Sequence, residues 1–144
     1  MGYFRSLDIG ASGLTAQRLR MDTISQNIAN VNTTRTENGE PYRRRTVIFE
    51  EKSPGSPFAE YLDAANPAGK GVRVSRIVED MTPFKRMYDP GHPEADENGY
   101  VMMPNVDVIT EMVNMISATR AYEANVTAIN TSKNMAVKAL EIGR

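Results

Sequence analysis

Cysteine is absent from all 144 residues, and histidine occurs once, at His92. Without cysteine there is no disulfide, no thiolate nucleophile and no Cys-type zinc site. One histidine with no second histidine or cysteine cannot build a usual zinc centre. An excess of charge of either sign is missing as well. The formal net charge is −1, so no basic excess points to nucleic acid as the main partner. Long apolar runs are missing: no h-region follows Met1, and polar residues recur from Arg5 to Asn30, which argues against a cleaved secretory signal or a membrane span. The chain also lacks GxGxxG, P-loop, GxSxG and HExxH patterns and any nucleophile, base and orienter set. No catalytic residue, metal or cofactor is expected, and the remaining 40% hydrophobic content is one domain's worth of core.

What is present is helical periodicity at both ends. Val108, Met112, Met115, Thr119, Tyr122, Val126, Ile129, Lys133, Ala136 and Leu140 alternate in steps of four and three, the seam of a coiled-coil helix. The spacing predicts a helix from Asn105 to Ile142, with Asn105 as N-cap after Pro104 and Asp107 at the positive end of the dipole. Glu111 lies off this seam and is expected to tolerate change to Gln. A second helix is predicted over residues 5–30, where Leu7, Leu14, Met21 and Ile28 recur every seventh residue and Ala11, Ile24 and Val31 widen the stripe. Gly10 and Gly13 each cost this helix about 1 kcal/mol relative to Ala, so it depends on packing. Two ordinary core helices of a small bundle, or chain ends that pair with each other and with neighbouring subunits, satisfy the pattern equally.

Between the helices the chain is strand and loop. Residues 32–41 are polar turn formers that end the first helix. Tyr42 to Lys52 alternates as a strand, and Val72 to Glu79 is a second with Val72, Val74 and Val78 on one face. A weaker third covers Met81 to Tyr88 and a short fourth Tyr100 to Met103, while a helical turn is anticipated around Phe58 to Asp63. The fold class is therefore mainly α with a small β-rich insert. It divides into an N-terminal helix over 1–34, an insert over 35–104 and a C-terminal helix over 105–144.

Two clusters are candidates for chemistry. His92 sits with Asp89, Glu94 and Asp96 in a Pro-rich loop, but the acids do not follow a calcium-loop pattern. A backbone fixed by proline, with His92 bonded locally, accounts for it. Arg43-Arg44-Arg45 cannot form a one-sided phosphate patch on a strand, because successive side chains point to opposite faces. Solvated or salt-bridging arginines are expected. The nine methionines suit both core filling and an adaptable subunit interface.

Three stretches carry a resemblance. They are Ser12-Gly13-Leu14 through Gln26-Asn27-Ile28-Ala29-Asn30-Val31-Asn32-Thr33, Tyr88-Asp89-Pro90-Gly91-His92-Pro93 through Gly99-Tyr100-Val101-Met102-Met103-Pro104-Asn105-Val106-Asp107, and Arg120-Ala121-Tyr122-Glu123-Ala124-Asn125-Val126 through Gly143-Arg144. The outer two resemble the terminal signatures of bacterial flagellar rod, hook and hook-associated proteins. The middle stretch and the short length narrow this to the proximal rod members of the flagella basal body rod protein family. Another proximal or distal rod subunit is the alternative. Thr119 stands where that family often has Ser, and Thr33-Thr34-Arg35 replaces its commoner Thr-Pro or Thr-Gly.

The resemblance implies a structural subunit, not an enzyme. It would polymerise through its terminal helices, transmit torque, surround the export channel and serve motility. Implied partners are other copies, proximal and distal rod proteins, the rod-base/MS-ring adaptor and the flagellar type III export apparatus, with no nucleic acid and no direct membrane insertion. The implied location is the basal-body rod in the periplasmic or cell-wall space, reached without a cleaved signal. The implied subunit interface uses Leu7, Leu14, Met21, Ile24 and Ile28 against Met112, Met115, Tyr122, Val126, Ile129 and Leu140. Asn27, Asn30 and Asn32 would set the turn out of the first helix, and Arg120, Tyr122, Glu123 and Asn125 form the C-terminal motif. Asp89, Pro90, Gly91, His92, Pro93, Gly99, Tyr100, Pro104 and Asn105 form the loop motif.

Overall fold

The computed structural model describes residues 2–52 and 70–143; the turn anticipated around Phe58 to Asp63 lies outside them. Helix α1 spans Gly2–Ala29 and helix α2 spans Val108–Ile142. At 1.5 Å per residue they are about 42 and 52 Å long. Between them lie β1 (Arg45–Glu51), β2 (Val72–Glu79), β3 (Lys85–Tyr88) and β4 (Tyr100–Met103). The strands pair as two antiparallel ribbons, β1 with β2 and β3 with β4. The expected class, two long terminal helices around a small β insert, is the observed one.

Helix α1 ends where Asn30 folds back. Its Nδ2 donates to the Gln26 carbonyl at 2.9 Å, and its Oδ1 accepts from Thr33 Oγ1 at 3.1 Å. Helix α2 starts later than expected. Its N-cap is Asp107, whose Oδ2 accepts from the Thr110 amide at 3.2 Å, the bond an N-cap supplies to a first-turn donor. Asn105 has a different task, described below. Strand β1 likewise begins three residues after Tyr42, because Tyr42 and Arg44 turn inward to tertiary partners. The register of β1 on β2 shifts between Ile48 and Phe49, a bulge that leaves Val72, Val74 and Val78 half-buried on one face as expected.

The helices run antiparallel. Gly10 faces Ile129, Gly13 faces Asn125, Thr119 Oγ1 lies 3.6 Å from Met21 Sδ, and Asn27 bonds Glu111. The approach is close. A Cβ on Gly10 would stand 2.8 Å from Ile129 Cγ1, and one on Gly13 would stand 3.1 Å from the Asn125 amide. The two glycines that weaken α1 in isolation therefore have a packing reason. The buried line of α1 is Gly10, Gly13, Ala16, Thr23, Ile24 and Asn27, and that of α2 centres on Glu111 and Ala118. This line lies one residue round from the expected seam. Leu7, Leu14, Met21 and Ile28 are only half-buried at its flank, and Met112 is more than half exposed. Small side chains let the backbones approach, and hydrophobic periodicity does not register them.

That contact makes a sign-reversing prediction. Gly10→Ala should gain about 1 kcal/mol of helix propensity, yet lower the melting temperature because Ile129 blocks the new methyl. In an Ile129→Ala background the same change should raise it. Stabilisation by Gly10→Ala in the unaltered chain would show that the helices do not meet this closely.

Candidate assembly surface and the polar junction behind it

A fully buried polar junction joins both helices to the insert. Asn27 and Glu111 have no exposed surface. Asn27 Nδ2 donates to Glu111 Oε2 and to the Arg45 carbonyl, each at 2.8 Å. Its Oδ1 accepts from the Tyr42 hydroxyl at 3.0 Å and the Arg45 amide at 2.9 Å. Both donors and both lone pairs of the amide are thereby used. Glu111 Oε1 accepts from Arg44 Nε and Nη2, each at 2.8 Å. Arg44 Nη1 also reaches Asp80 Oδ2 at 3.4 Å. Burial pushes the Tyr42 phenol above its ordinary value, with the Arg45 charge opposing.

Asn105 clamps the far side. Its Oδ1 accepts from the Arg44 amide at 2.8 Å, and its Nδ2 donates to the Asp80 carbonyl and Thr82 Oγ1, each at 2.9 Å. The structure thus corrects three expectations. Asn105 is not the N-cap but a bridge between β1 and the β2–β3 connection. Glu111 is not a neutral surface position but the buried anion that Arg44 neutralises. The arginine run behaves as a salt-bridging strand: Arg44 pairs with Glu111 and Asp80, Arg45 with Glu79 at 3.2 Å, and Arg43 stacks over Phe84 at 4.3 Å. Asn27 does not set the helix exit, which Asn30 does.

The loop motif folds on itself. The Asp89 amide donates to the Gly99 carbonyl at 2.9 Å, and Asp96 Oδ1 accepts from the amides of Asn98 and Tyr100, each at 2.9 Å. Gly99 has φ +78°, a conformation that favours glycine, and a Cβ there would stand 3.0 Å from the Tyr88 ring. His92 Nδ1 accepts from the Glu94 amide at 3.1 Å, so its neutral form carries the proton on Nε2. This is the local bonding expected of it. Tyr88 and Tyr100 meet edge to face at 5.3 Å across β3 and β4, and Pro104 is buried. Among the described residues no three His, Cys, Asp or Glu side chains converge as a metal site.

The predicted interface residues fall into two sets. Ile24 is buried within the chain, and Leu7, Leu14, Met21, Ile28, Met115, Tyr122, Val126 and Ile129 are half-buried along the helix pair. Met112 and Leu140 are exposed. In the C-terminal motif Asn125 packs under Gly13, whereas Arg120 and Glu123 stand in solvent. Asn32 is exposed at the helix exit. Beyond these, Ile109, Val113 and Ile116 leave more than half their surface uncovered on the outer face of α2, a row that the seam pattern did not single out.

Comparison with known proteins fits this geometry. Residues 7–35 match the family model described as "Flagella basal body rod protein", and residues 97–142 match "Flagellar basal body rod FlgEFG protein C-terminal". The "Flagellar basal-body rod protein FlgC" of Borreliella burgdorferi is 52% identical over 151 residues, covering 99% of this chain and 98% of that protein. The chain belongs to the FlgC family of flagellar basal-body rod proteins. FlgC of Bacillus subtilis is 51% identical and that of Salmonella typhimurium 41%, each over the full length of both chains. The N-terminal match covers α1 from Leu7 together with its exit turn, and the C-terminal match covers β4 and α2, so the two rod-family matches frame the junction from both sides.

The junction predicts a stability loss. Glu111→Ala should lower the free energy of unfolding by about 3–5 kcal/mol, because it leaves Arg44 Nε and Nη2 and an Asn27 donor without their acceptor. Glu111→Gln should cost less, since it retains an acceptor. Urea melts measure both, and a change below about 1 kcal/mol for the alanine would mean that the junction is not held.

A pH dependence follows from the acids beside it. The Thr82 amide, then the Thr82 hydroxyl and Arg44, hold Asp80 below 3.8, and the Thr110 hydroxyl and amide do the same for Asp107. A depressed folded-state value means that the ionised form favours folding. The contribution is complete above 3.8 and is lost as pH falls below it. Asp80→Asn should flatten the acid limb of a stability–pH curve. An unchanged limb would remove Asp80 from the account.

Proposed function

We propose that the chain is a structural subunit of the bacterial flagellar basal-body rod, built into it through α1 and α2. The observation that carries this reading is the full-length similarity to FlgC proteins, joined to a helix pair whose larger apolar side chains remain partly uncovered. A helix hairpin some 40–50 Å long supplies extended surface and no deep reaction cleft. Many parallel contacts of this kind pass torque along a rod, where a pocket would not. A protein of the other axial types is less well supported, because relatives covering the whole chain share the one name.

In this reading the helices form the layer around the export channel, and the insert faces outward to neighbours. Partners are other copies, the proximal and distal rod proteins and the rod-base/MS-ring adaptor. The chain travels unfolded through the type III export apparatus to the periplasmic or cell-wall space. No helix among the described residues is long and apolar enough to cross a membrane. The division into helix, insert and helix near residues 34 and 105 follows this division of labour.

The test separates export from assembly. Tyr122 is half-buried on α2 beside Thr119 and Val126. Tyr122→Asp removes the aromatic contact from this face and puts a charge in its place. Cells carrying it should export the subunit, build no rod or hook and fail to swim. Glu37→Gln, at an exposed turn of the insert, should swim normally. Normal swimming by Tyr122→Asp cells would refute an assembly role for this face.

A further inference from the structure

The triplet Glu-Asn-Gly occurs twice, as Glu37-Asn38-Gly39 after α1 and as Glu97-Asn98-Gly99 between β3 and β4. Both copies build the same turn. The Thr36 amide donates to the Glu40 carbonyl and the Gly39 amide to the Thr36 carbonyl, each at 2.9 Å. The Asp96 amide donates to the Tyr100 carbonyl and the Gly99 amide to the Asp96 carbonyl, again at 2.9 Å. Each glycine has φ +78°, and the pattern is that of a three-residue hairpin loop ending in a left-handed residue. Asn38 and Asn98 are both exposed.

The two turns are held differently. Beside Gly39 there is open space, and a Cβ there would meet nothing within 4 Å. Thr36 Oγ1 adds one bond, to the Glu40 carbonyl at 2.8 Å. Gly99 is half-buried, and a Cβ on it would stand 3.2 Å from Pro90 Cβ as well as against the Tyr88 ring. Asp96 Oδ1 fastens the second loop by accepting from the Asn98 and Tyr100 amides, and the Asp89 amide donates to the Gly99 carbonyl. Bonds to a carboxylate are about twice as strong as those between neutral groups.

We propose that Asn38 is a site of spontaneous deamidation in the folded chain, and that Asn98, in the same triplet, is protected by its turn. The nitrogen of the following glycine is the nucleophile. It loses its proton to hydroxide and attacks the carbonyl carbon of the asparagine side chain. A five-membered succinimide forms as the bond from that carbon to Nδ2 breaks, and the nitrogen takes a proton from water and leaves as ammonia. Water then adds to one of the two ring carbonyls and reopens the ring. The product is an aspartate or, with the backbone rerouted through the side chain, an isoaspartate. Glycine favours the step because it puts no side chain in the way of its own nitrogen.

In both turns that nitrogen is occupied, since its N–H closes the loop. Reaction therefore waits for local opening, and its rate follows the fraction of chains in which the loop is open. Opening the first turn breaks the bonds between Thr36, Gly39 and Glu40 and disturbs no packing on Gly39. Opening the second also breaks the Asp96 carboxylate bonds and the fit of Gly99 against Tyr88 and Pro90. Below the first turn the Tyr42 amide donates to the Thr33 carbonyl at 3.1 Å, which separates the loop from the buried junction. The new carboxylate at position 38 joins Glu37 and Glu40, the latter 3.7 Å from Arg43. Conversion thus changes surface charge and turn shape while Asn27 and Glu111 keep their partners. This chemistry belongs to the chain itself and does not depend on the rod reading.

Each site serves as the control for the other. The unaltered full chain is aged in mildly alkaline buffer, either folded or unfolded in guanidinium chloride, and then digested with trypsin. Cleavage after Arg35, Arg43, Arg86 and Arg120 puts Asn38 and Asn98 on different peptides. Mass spectrometry follows amide-to-acid conversion at each, and an isoaspartyl methyltransferase labels the rearranged product. The rate in the unfolded chain divided by the rate in the folded chain is the protection of that site. Asn38 should convert measurably in the folded chain. Protection at Asn98 should be greater by about tenfold or more, the effect of one charge-assisted hydrogen bond on the opening equilibrium. Asp96→Ala, checked for folding by far-UV circular dichroism, should lower protection at Asn98 and leave that at Asn38 unchanged. Protection at Asn98 no greater than at Asn38 in the unaltered chain would overturn the proposal. So would a folded chain that keeps Asn38 intact while the unfolded chain converts.

Discussion

A carboxylate with no exposed surface must be matched or it unfolds what surrounds it. Glu111 meets that demand with three charge-assisted or amide donors, from Arg44 and Asn27. Everything near it is placed accordingly. Arg44 leaves the ladder alternation to turn inward, Tyr42 is buried to reach Asn27, and Asn105 is drawn from the helix start to brace the Arg44 backbone. Replacing such a junction with apolar residues is often neutral or stabilising, so its value is not stability as such. Its directional bonds admit one arrangement of α1, β1 and α2, and a greasy contact would admit several.

The helix pair solves the opposite problem. Gly10, Gly13 and Ala16 sacrifice side-chain burial so that the backbones come close to Asn125 and Ile129. The large apolar residues are thereby moved to the flanks. Within one chain that arrangement looks wasteful, because Met112, Ile116 and Leu140 stay in water. It is economical if those side chains are covered by neighbours. The same residues cannot fill an internal seam and also face another subunit.

Much of this was legible in the sequence. Period-seven apolar residues located both helices, and alternation located β2 and β4 to the residue. What escaped was carried by residues without hydrophobic signal. Glu111 sits one position before Met112, and only its partnership with Arg44, 67 residues away in sequence, distinguishes it from a solvent-facing glutamate. Asn105 and Asp107 are both good N-caps, and local propensity cannot choose between them when Asn105 has better tertiary offers. The buried line of small residues was hidden for a related reason: glycine and alanine bury well only against a partner that fits. Asn27 was singled out by resemblance, but its place in the turn was wrong because the amide looks inward to β1.

The two kinds of contact suit two mechanical tasks. Apolar flanks hold by area and allow small sliding, which different neighbours along a rod require. Hydrogen bonds and ion pairs hold by angle and resist rotation. The insert is joined to the helices mainly by the second kind, through Asn27, Arg44, Glu111 and Asn105, with Ser12 Oγ receiving the Val72 amide at 3.0 Å as a second anchor along α1. Two fixed points, at Ser12 and at Asn27 along α1, prevent the insert from pivoting about either. Under the rod reading, a twisting load on the insert is then delivered to the whole helix pair and not to a hinge.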